Sequence, residues 1–141
     1  MMLLHQAIAL DPTLKLAYNS LGNLYYQQQQ YQQALMLYQR ALAIDPQYVK
    51  ARNNLGSTYL RLAMDERARE ELVKALVADS SYGLAHYNLA CVSARAGDST
   101  TTAQHLQRAI ALEPQARLWA QTDEDFARVR TMRAVRQLLE P

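Results

Sequence analysis

Residues able to do acid–base, nucleophilic or metal chemistry are few in this chain, and their spacing joins none of them into a site. Histidine is the side chain best matched to proton transfer near neutral pH, and it occurs three times, at His5, His86 and His105. His5 and His105 fall on predicted helices with no matching nucleophile, and His86 falls at a packing position among apolar neighbours. Cys91 is the only cysteine, so neither an internal disulfide nor a thiol-based zinc site can form, which fits a reducing compartment. The pattern places no base beside Cys91 to generate a thiolate. No H-E-x-x-H, P-loop, G-x-S-x-G or paired Cys/His spacing occurs. The acids gather at helix starts and turns, where they serve as caps. The expectation is a chain that is not an enzyme and uses no cofactor or metal.

The bulk properties narrow the class further. Half of the 141 residues are hydrophobic, so a continuous core can form, and the length suits one domain over residues 1–141. A net charge of +2 with 20% charged residues is too balanced for a nucleic-acid face. No apolar run approaches the roughly 18 residues of a membrane helix. The opening MMLLHQAIAL is apolar but lacks a basic leader and a small-residue cleavage site, so it does not read as a signal peptide. The expectation is a soluble, cytoplasmic protein.

An internal period then fixes how the elements are arranged. Asp11-Pro12, Asp45-Pro46, Asp79-Ser80 and Glu113-Pro114 follow one another at intervals of 34 residues. Gly22 and Gly56 keep that interval, as do Ala7, Ala41, Ala75 and Ala109. A period of this length signals a stacked repeat array. In the unit from Lys15 to Tyr48, Leu14, Ala17, Tyr18, Leu21 and Tyr25 define one helical face. Gln27 to Gln30 make the turn, and Ala34, Leu35, Tyr38, Ala41 and Leu42 define a second helix. Asp45-Pro46 ends it, because proline cannot continue a helix. The next unit, 49–82, carries Leu55, Gly56, Tyr59 and Leu62, then Asp65 as N-cap, then Ala68, Leu72, Ala75 and Leu76. The third, 83–116, carries Ala85, Leu89, Ala90 and Val92, a stop at Gly97-Asp98, then Ala103, Leu106, Ala109 and Ile110. Residues 1–12 read as half a unit, and 117–141 read as a terminal cap with Trp119, Phe126, Val129, Val135, Leu138 and Leu139 facing inward. Gly22 and Gly56 predict close helix crossings, since glycine within a helix otherwise costs about 1 kcal/mol.

Tyr18, Leu21, Gly22, Tyr25, Ala34, Tyr38, Ala41 and Pro46 resemble the tetratricopeptide repeat pattern of W-x2-L-G-x2-Y, A-x3-F and Pro. Leu55, Gly56, Tyr59, Ala68, Leu72 and Ala75 repeat it, and Leu89, Ala90, Leu106, Ala109 and Pro114 keep it more loosely. The second unit departs at Arg52 and Ser80. The third departs at His86, Ser93 and Thr102, which predicts looser packing there. The resemblance covers about residues 1–116. It implies an all-α, right-handed superhelical solenoid of antiparallel helix pairs with a C-terminal capping segment, and a concave groove lined by the first helix of each pair.

By the same resemblance, the groove positions are Asn19, Ser20, Asn23, Tyr26 and Gln27, then Lys50, Asn53, Asn54, Ser57 and Arg61, then Tyr87, Asn88, Cys91 and Arg95. This set holds no acid and five asparagines. Asparagine offers a donor and an acceptor at once, which suits the backbone of an extended peptide. Lys50, Arg61 and Arg95 would attract an acidic side chain or a C-terminal carboxylate. The chaperone-tail clamp of some family members fits at Asn23 and Asn54. It requires basic residues where Asn19, Leu84 and Asn88 stand, so chaperone-tail binding is not expected.

The main functional expectation is a scaffold or adaptor that docks an extended or helical segment of another protein in its groove. Two alternatives are also open. The chain could self-associate through the apolar face of residues 1–10, or it could be a targeting or regulatory piece of a larger protein, since it starts in mid-repeat.

Overall fold

The structure is a computed structural model and describes residues 14–141. The expectations for residues 1–12, including self-association through them, lie outside the described residues. These divide into two compact units, one reaching Ala78 and one running from Asp79 to Pro141. The described elements are all helical.

The first unit holds α1 (Lys15–Gln27), α2 (Tyr31–Ile44), α3 (Val49–Arg61) and α4 (Asp65–Ala78). Their buried faces are the apolar stripes read from the sequence. Ala17, Tyr18 and Leu21 of α1 are buried, as are Ala34, Tyr38 and Ala41 of α2, Leu55 and Tyr59 of α3, and Ala68, Leu72 and Ala75 of α4. The glycines sit where helices press closest. A Cβ on Gly22 would lie 2.6 Å from Tyr38 Cε1, and one on Gly56 would lie 2.7 Å from Leu72 Cγ. The absence of side chains at these two positions lets α1 take the ring of α2 and α3 take the leucine of α4.

The turn within each pair has one recurring construction. In the first, Gln29 N–H bonds Tyr26 O and Gln30 N–H bonds Tyr25 O, both at 2.9 Å. In the second, Ala63 bonds Leu60 O at 3.0 Å and Met64 bonds Tyr59 O at 2.9 Å. This is the paired closure that satisfies the last carbonyls of a helix, and it needs one left-handed residue. Gln29 has φ 60° and Ala63 has φ 58°. Met64 precedes α4, so Asp65 stands in the first turn instead of at the N-cap expected for it. There its charge still favours the positive helix end.

Arg52, where the repeat pattern favours an aromatic, forms an ionic link instead. Its Nη1 meets Glu71 Oε2 at 2.7 Å and its Nη2 donates to Pro46 O at 2.8 Å. The arginine thus ties α3 to α4 and to the turn before α3.

The second unit holds α5 (Gly83–Arg95), α6 (Ser99–Leu112), α7 (Ala116–Thr122), a 3-10 turn (Glu124–Phe126) and α8 (Arg133–Leu139). The α5–α6 turn repeats the same closure, with Gly97 bonding Ala94 O and Asp98 bonding Ser93 O, both at 3.0 Å. Gly97 has φ 78°. Asp98 caps α6 by accepting from Thr101 N at 3.1 Å. The looser packing expected here is not found. Ser93 is 6% exposed and Thr102, Leu106 and Ala94 are fully buried. Thr102 is tolerated because its hydroxyl donates to Asp98 O at 2.6 Å, so its own buried oxygen is not left unpaired. His86 is half-buried, with Nε2 2.9 Å from Ser80 O and its ring 6.4 Å from that of His105.

Residues 116–139 pack onto α5 and α6 as a broken helical segment. Phe126, Val129 and Val135 are fully buried. Asp123 caps the 3-10 turn, accepting from Asp125 N at 3.0 Å. Arg117 Nε donates to Leu138 O at 3.0 Å and Gln121 Nε2 to Leu139 O at 2.8 Å, which fastens the end of α8 to α7.

Candidate binding site

The polar residues singled out on the first helix of each pair separate into two environments, and each unit has its own. In the first unit, α1 presents Asn19, Asn23, Tyr26 and Gln27, while α3 presents Lys50, Asn53, Asn54, Ser57 and Arg61. The asparagines form a connected cluster. Asn54 Nδ2 donates to Asn19 Oδ1 at 3.0 Å and to Asn23 Oδ1 at 3.1 Å. Tyr38 reaches in from α2, and its hydroxyl donates to Asn23 Oδ1 at 2.6 Å. Tyr26 Oη and Ser57 Oγ lie 2.9 Å apart.

These contacts arise from the helical register. Asn19 and Asn23 are one turn apart on α1, and Asn54 faces both from α3. Gly22, beside Asn23, admits the Tyr38 ring. Burial and the neighbouring Tyr26 push the Tyr38 phenol well above the usual tyrosine range, so at neutral pH it is a proton donor. Beside the cluster is a pocket of 370 Å³ lined by Asn23, Tyr26, Gln27, Tyr38, Asn54 and Ser57.

The other predicted residues of this unit stand apart from the pocket lining. Asn19 and Asn53 are buried, at 7% and 4% exposure, so Asn19 serves the cluster from within. Lys50 and Arg61 are exposed. Lys15, which was not among the predicted residues, ion-pairs with Asp45 and lies 5.0 Å from the centre of the Tyr48 ring. That contact holds the Asp45 carboxyl below its usual range, with Gln47 N–H adding a second bond.

In the second unit the chain covers its own predicted positions. Tyr87 is 8% exposed and Cys91 is 2% exposed. The Tyr87 hydroxyl donates to Asp123 Oδ2 at 2.8 Å, and its ring meets Trp119 and Phe126 at centroid distances of 5.4 and 5.6 Å. Burial is the main reason the Tyr87 phenol is held far above its ordinary range. Arg95 Nη1 pairs with Asp125 Oδ1 at 3.1 Å, and Arg128 donates to Arg95 O at 2.8 Å. Asn88 is half-buried.

Asp123 and Asp125 carry the contacts that the helix-by-helix reading missed. Their signal was their acidity, in a chain whose predicted groove set contained none. Cys91, Asp123 and Asp125 bring ligand atoms within 4.8 Å of one another. The acids are already answered by the Tyr87 hydroxyl and the Arg95 cation, so a metal would have to displace both.

A TPR repeat model matches residues 22–62, and a tetratricopeptide repeat model matches residues 49–82. Residues 22–82 carry the tetratricopeptide repeat. The helix pairs, the Gly22 and Gly56 crossings and the recurring turns are this family's repeat. MamA has a similar crystal structure, at TM-score 0.77 and 18% identity, covering 96% of this chain and 78% of MamA. YrrB, a TPR protein with an unusual peptide-binding site, is similar at TM-score 0.72 and 25% identity, covering 96% of this chain and 74% of YrrB. The first TPR of Spaghetti (RPAP3), bound to the HSP90 peptide SRMEEVD, is similar at TM-score 0.70 and 20% identity, covering 88% of this chain and 89% of that one. No curated protein matches the chain in sequence. Among the described residues, no helix of this tetratricopeptide repeat protein is long and apolar enough to cross a membrane.

Proposed function

We propose that the protein is a non-enzymatic interaction module that holds an extended segment of a partner protein against α1 and α3. The observation that carries this reading is the asparagine cluster of Asn19, Asn23 and Asn54 beside the 370 Å³ pocket. Asparagine has poor helix propensity, so three of them converging from two helices are costly unless they are used. Their bonds to one another and to Tyr38 fix the side chains before a ligand arrives, which lowers the entropy lost on binding. YrrB's peptide-binding site, in a protein of the same fold, supports the same class of use.

The features that would favour an acidic C-terminal tail are weak here. Asn19 is uncharged and buried, and Arg95 is already paired with Asp125. Lys50 is an exposed cation that could attract an acid flanking the bound segment.

Affinity capture with the full chain tests this reading. The wild type and an Arg108→Ala control, altered at an exposed position of α6, should recover the same partner. Asn54→Ala, with its melting temperature measured alongside, should weaken that capture by about 1–3 kcal/mol, the cost of leaving buried polar groups unpaired. Equal recovery by a folded Asn54→Ala protein would remove the cluster from the binding surface.

A further inference from the structure

The hydrogen bonds of the asparagine cluster use up particular atoms and leave others. A carboxamide has two N–H donors and an oxygen with two lone pairs. Both N–H groups of Asn54 are committed, one to Asn19 Oδ1 and one to Asn23 Oδ1. Both lone pairs of Asn23 Oδ1 are committed, one to Tyr38 and one to Asn54. The groups left for a ligand are therefore Asn23 Nδ2, a pure donor, and Asn54 Oδ1, a pure acceptor. Between Tyr26 and Ser57 one hydroxyl proton is used internally, and the other remains available.

The orientation of each amide follows from its neighbours. Rotating Asn54 by half a turn would set its oxygen against two other oxygens. Rotating Asn23 would set its N–H groups against the Asn54 N–H. No one of these amides can turn without the others, so each holds the sense of its neighbours, and none of the six lining residues carries a charge.

We propose that this pocket takes the primary-amide side chain of a partner's asparagine or glutamine, a selection that rests on the peptide-binding reading above. An amide presents an oxygen to Asn23 Nδ2 and an N–H to Asn54 Oδ1 in one planar group. A carboxylate satisfies the first contact and puts a second oxygen against Asn54 Oδ1. An ammonium satisfies Asn54 Oδ1 and meets the N–H groups of Asn23. An apolar side chain leaves both unpaired. Specificity for the amide comes from what each rival leaves unsatisfied.

Asn23→Asp isolates the idea. It keeps the oxygen that serves Tyr38 and Asn54 and replaces only the outward nitrogen with oxygen. A random dodecapeptide library displayed on phage would be panned against the full wild-type chain and against Asn23→Asp, with thermal melts of both. Wild type should enrich peptides with Asn or Gln at one fixed position, favoured by about ten-fold or more over Asp, Glu and Leu there. Asn23→Asp should exchange that residue for Lys or Arg. Wild-type peptides with an acidic or apolar residue at the fixed position would overturn the amide assignment and leave the peptide-binding reading standing. So would peptides with no fixed residue, since the cluster would then be reading main chain. The same anchor residue for both proteins would also overturn it. Failure to enrich any peptide would overturn both readings. The wild-type profile is decisive even if the variant does not fold.

Discussion

Gln29 and Ala63 occupy the same left-handed backbone conformation 34 residues apart, with φ of 60° and 58°, and Gly97 holds that position in the next helix pair at 78°. The described residues therefore carry three copies of one turn, and only one of these has the residue suited to it. A side chain with a Cβ costs roughly 1–2 kcal/mol in this region.

Gln29→Gly and Ala63→Gly should each stabilise the fold by up to about 1 kcal/mol. Relief of the left-handed strain outweighs the added freedom of glycine in the unfolded chain. Gly97→Ala should destabilise it by a similar amount. Urea denaturation of the three variants checks this, and a loss of stability in both glycine substitutions would show that the turns are not strained.

The reverse holds inside the helices. Gly22→Ala would drive a methyl to 2.6 Å from the Tyr38 ring, and Gly56→Ala would drive one to 2.7 Å from Leu72 Cγ. Helix propensity favours alanine by about 1 kcal/mol at both positions. Overpacking of this kind costs about 1–3 kcal/mol and should win. Gly22→Ala also pushes on the ring that donates to Asn23, so it should lower peptide binding as well as melting temperature. Gly56→Ala should lower the melting temperature with a smaller effect on binding. Calorimetry and a peptide titration on both variants separate the two effects.

Acid should act on the first unit through Asp45. Its carboxyl is held below the ordinary range by Lys15 and by Gln47 N–H. A depressed carboxylate contributes stability that is present above its unfolded pKa of about 3.9 and is lost as pH falls through the lower folded value. Asp45→Asn should therefore melt below wild type at pH 6, and the gap should close between about pH 4 and pH 2. Melting curves of the two proteins across that range give the answer. A constant gap would mean that the ion pair is not what Asp45 contributes.

Much of the helical framework was legible from sequence because it depends on local patterns. Apolar spacing of three and four placed the helices, and the interval of 34 residues aligned their turns. Gly22 and Gly56 announced close crossings that the Tyr38 and Leu72 contacts bear out. The predicted site was less legible. Asn54 meeting Asn19 and Asn23 depends on two helices facing each other, which one helical face cannot report. Tyr87 and Arg95 read as open positions because their partners, Asp123 and Asp125, are 36 and 30 residues later in a segment outside the repeat pattern. Thr102 looked like a packing fault because its bond to Asp98 O was invisible in the residue type.

The segment from Ala116 to Leu139 bears on what could be grafted onto another helix pair. Its phenylalanine and two valines complete the hydrophobic interior of the α5–α6 pair, and its aspartates accept from that pair's tyrosine and pair with its arginine. These aspartates match Tyr87 and Arg95 in particular, so the segment is fitted to one repeat and is not a general lid. Transplanted elsewhere, it would need that tyrosine and that arginine to travel with it.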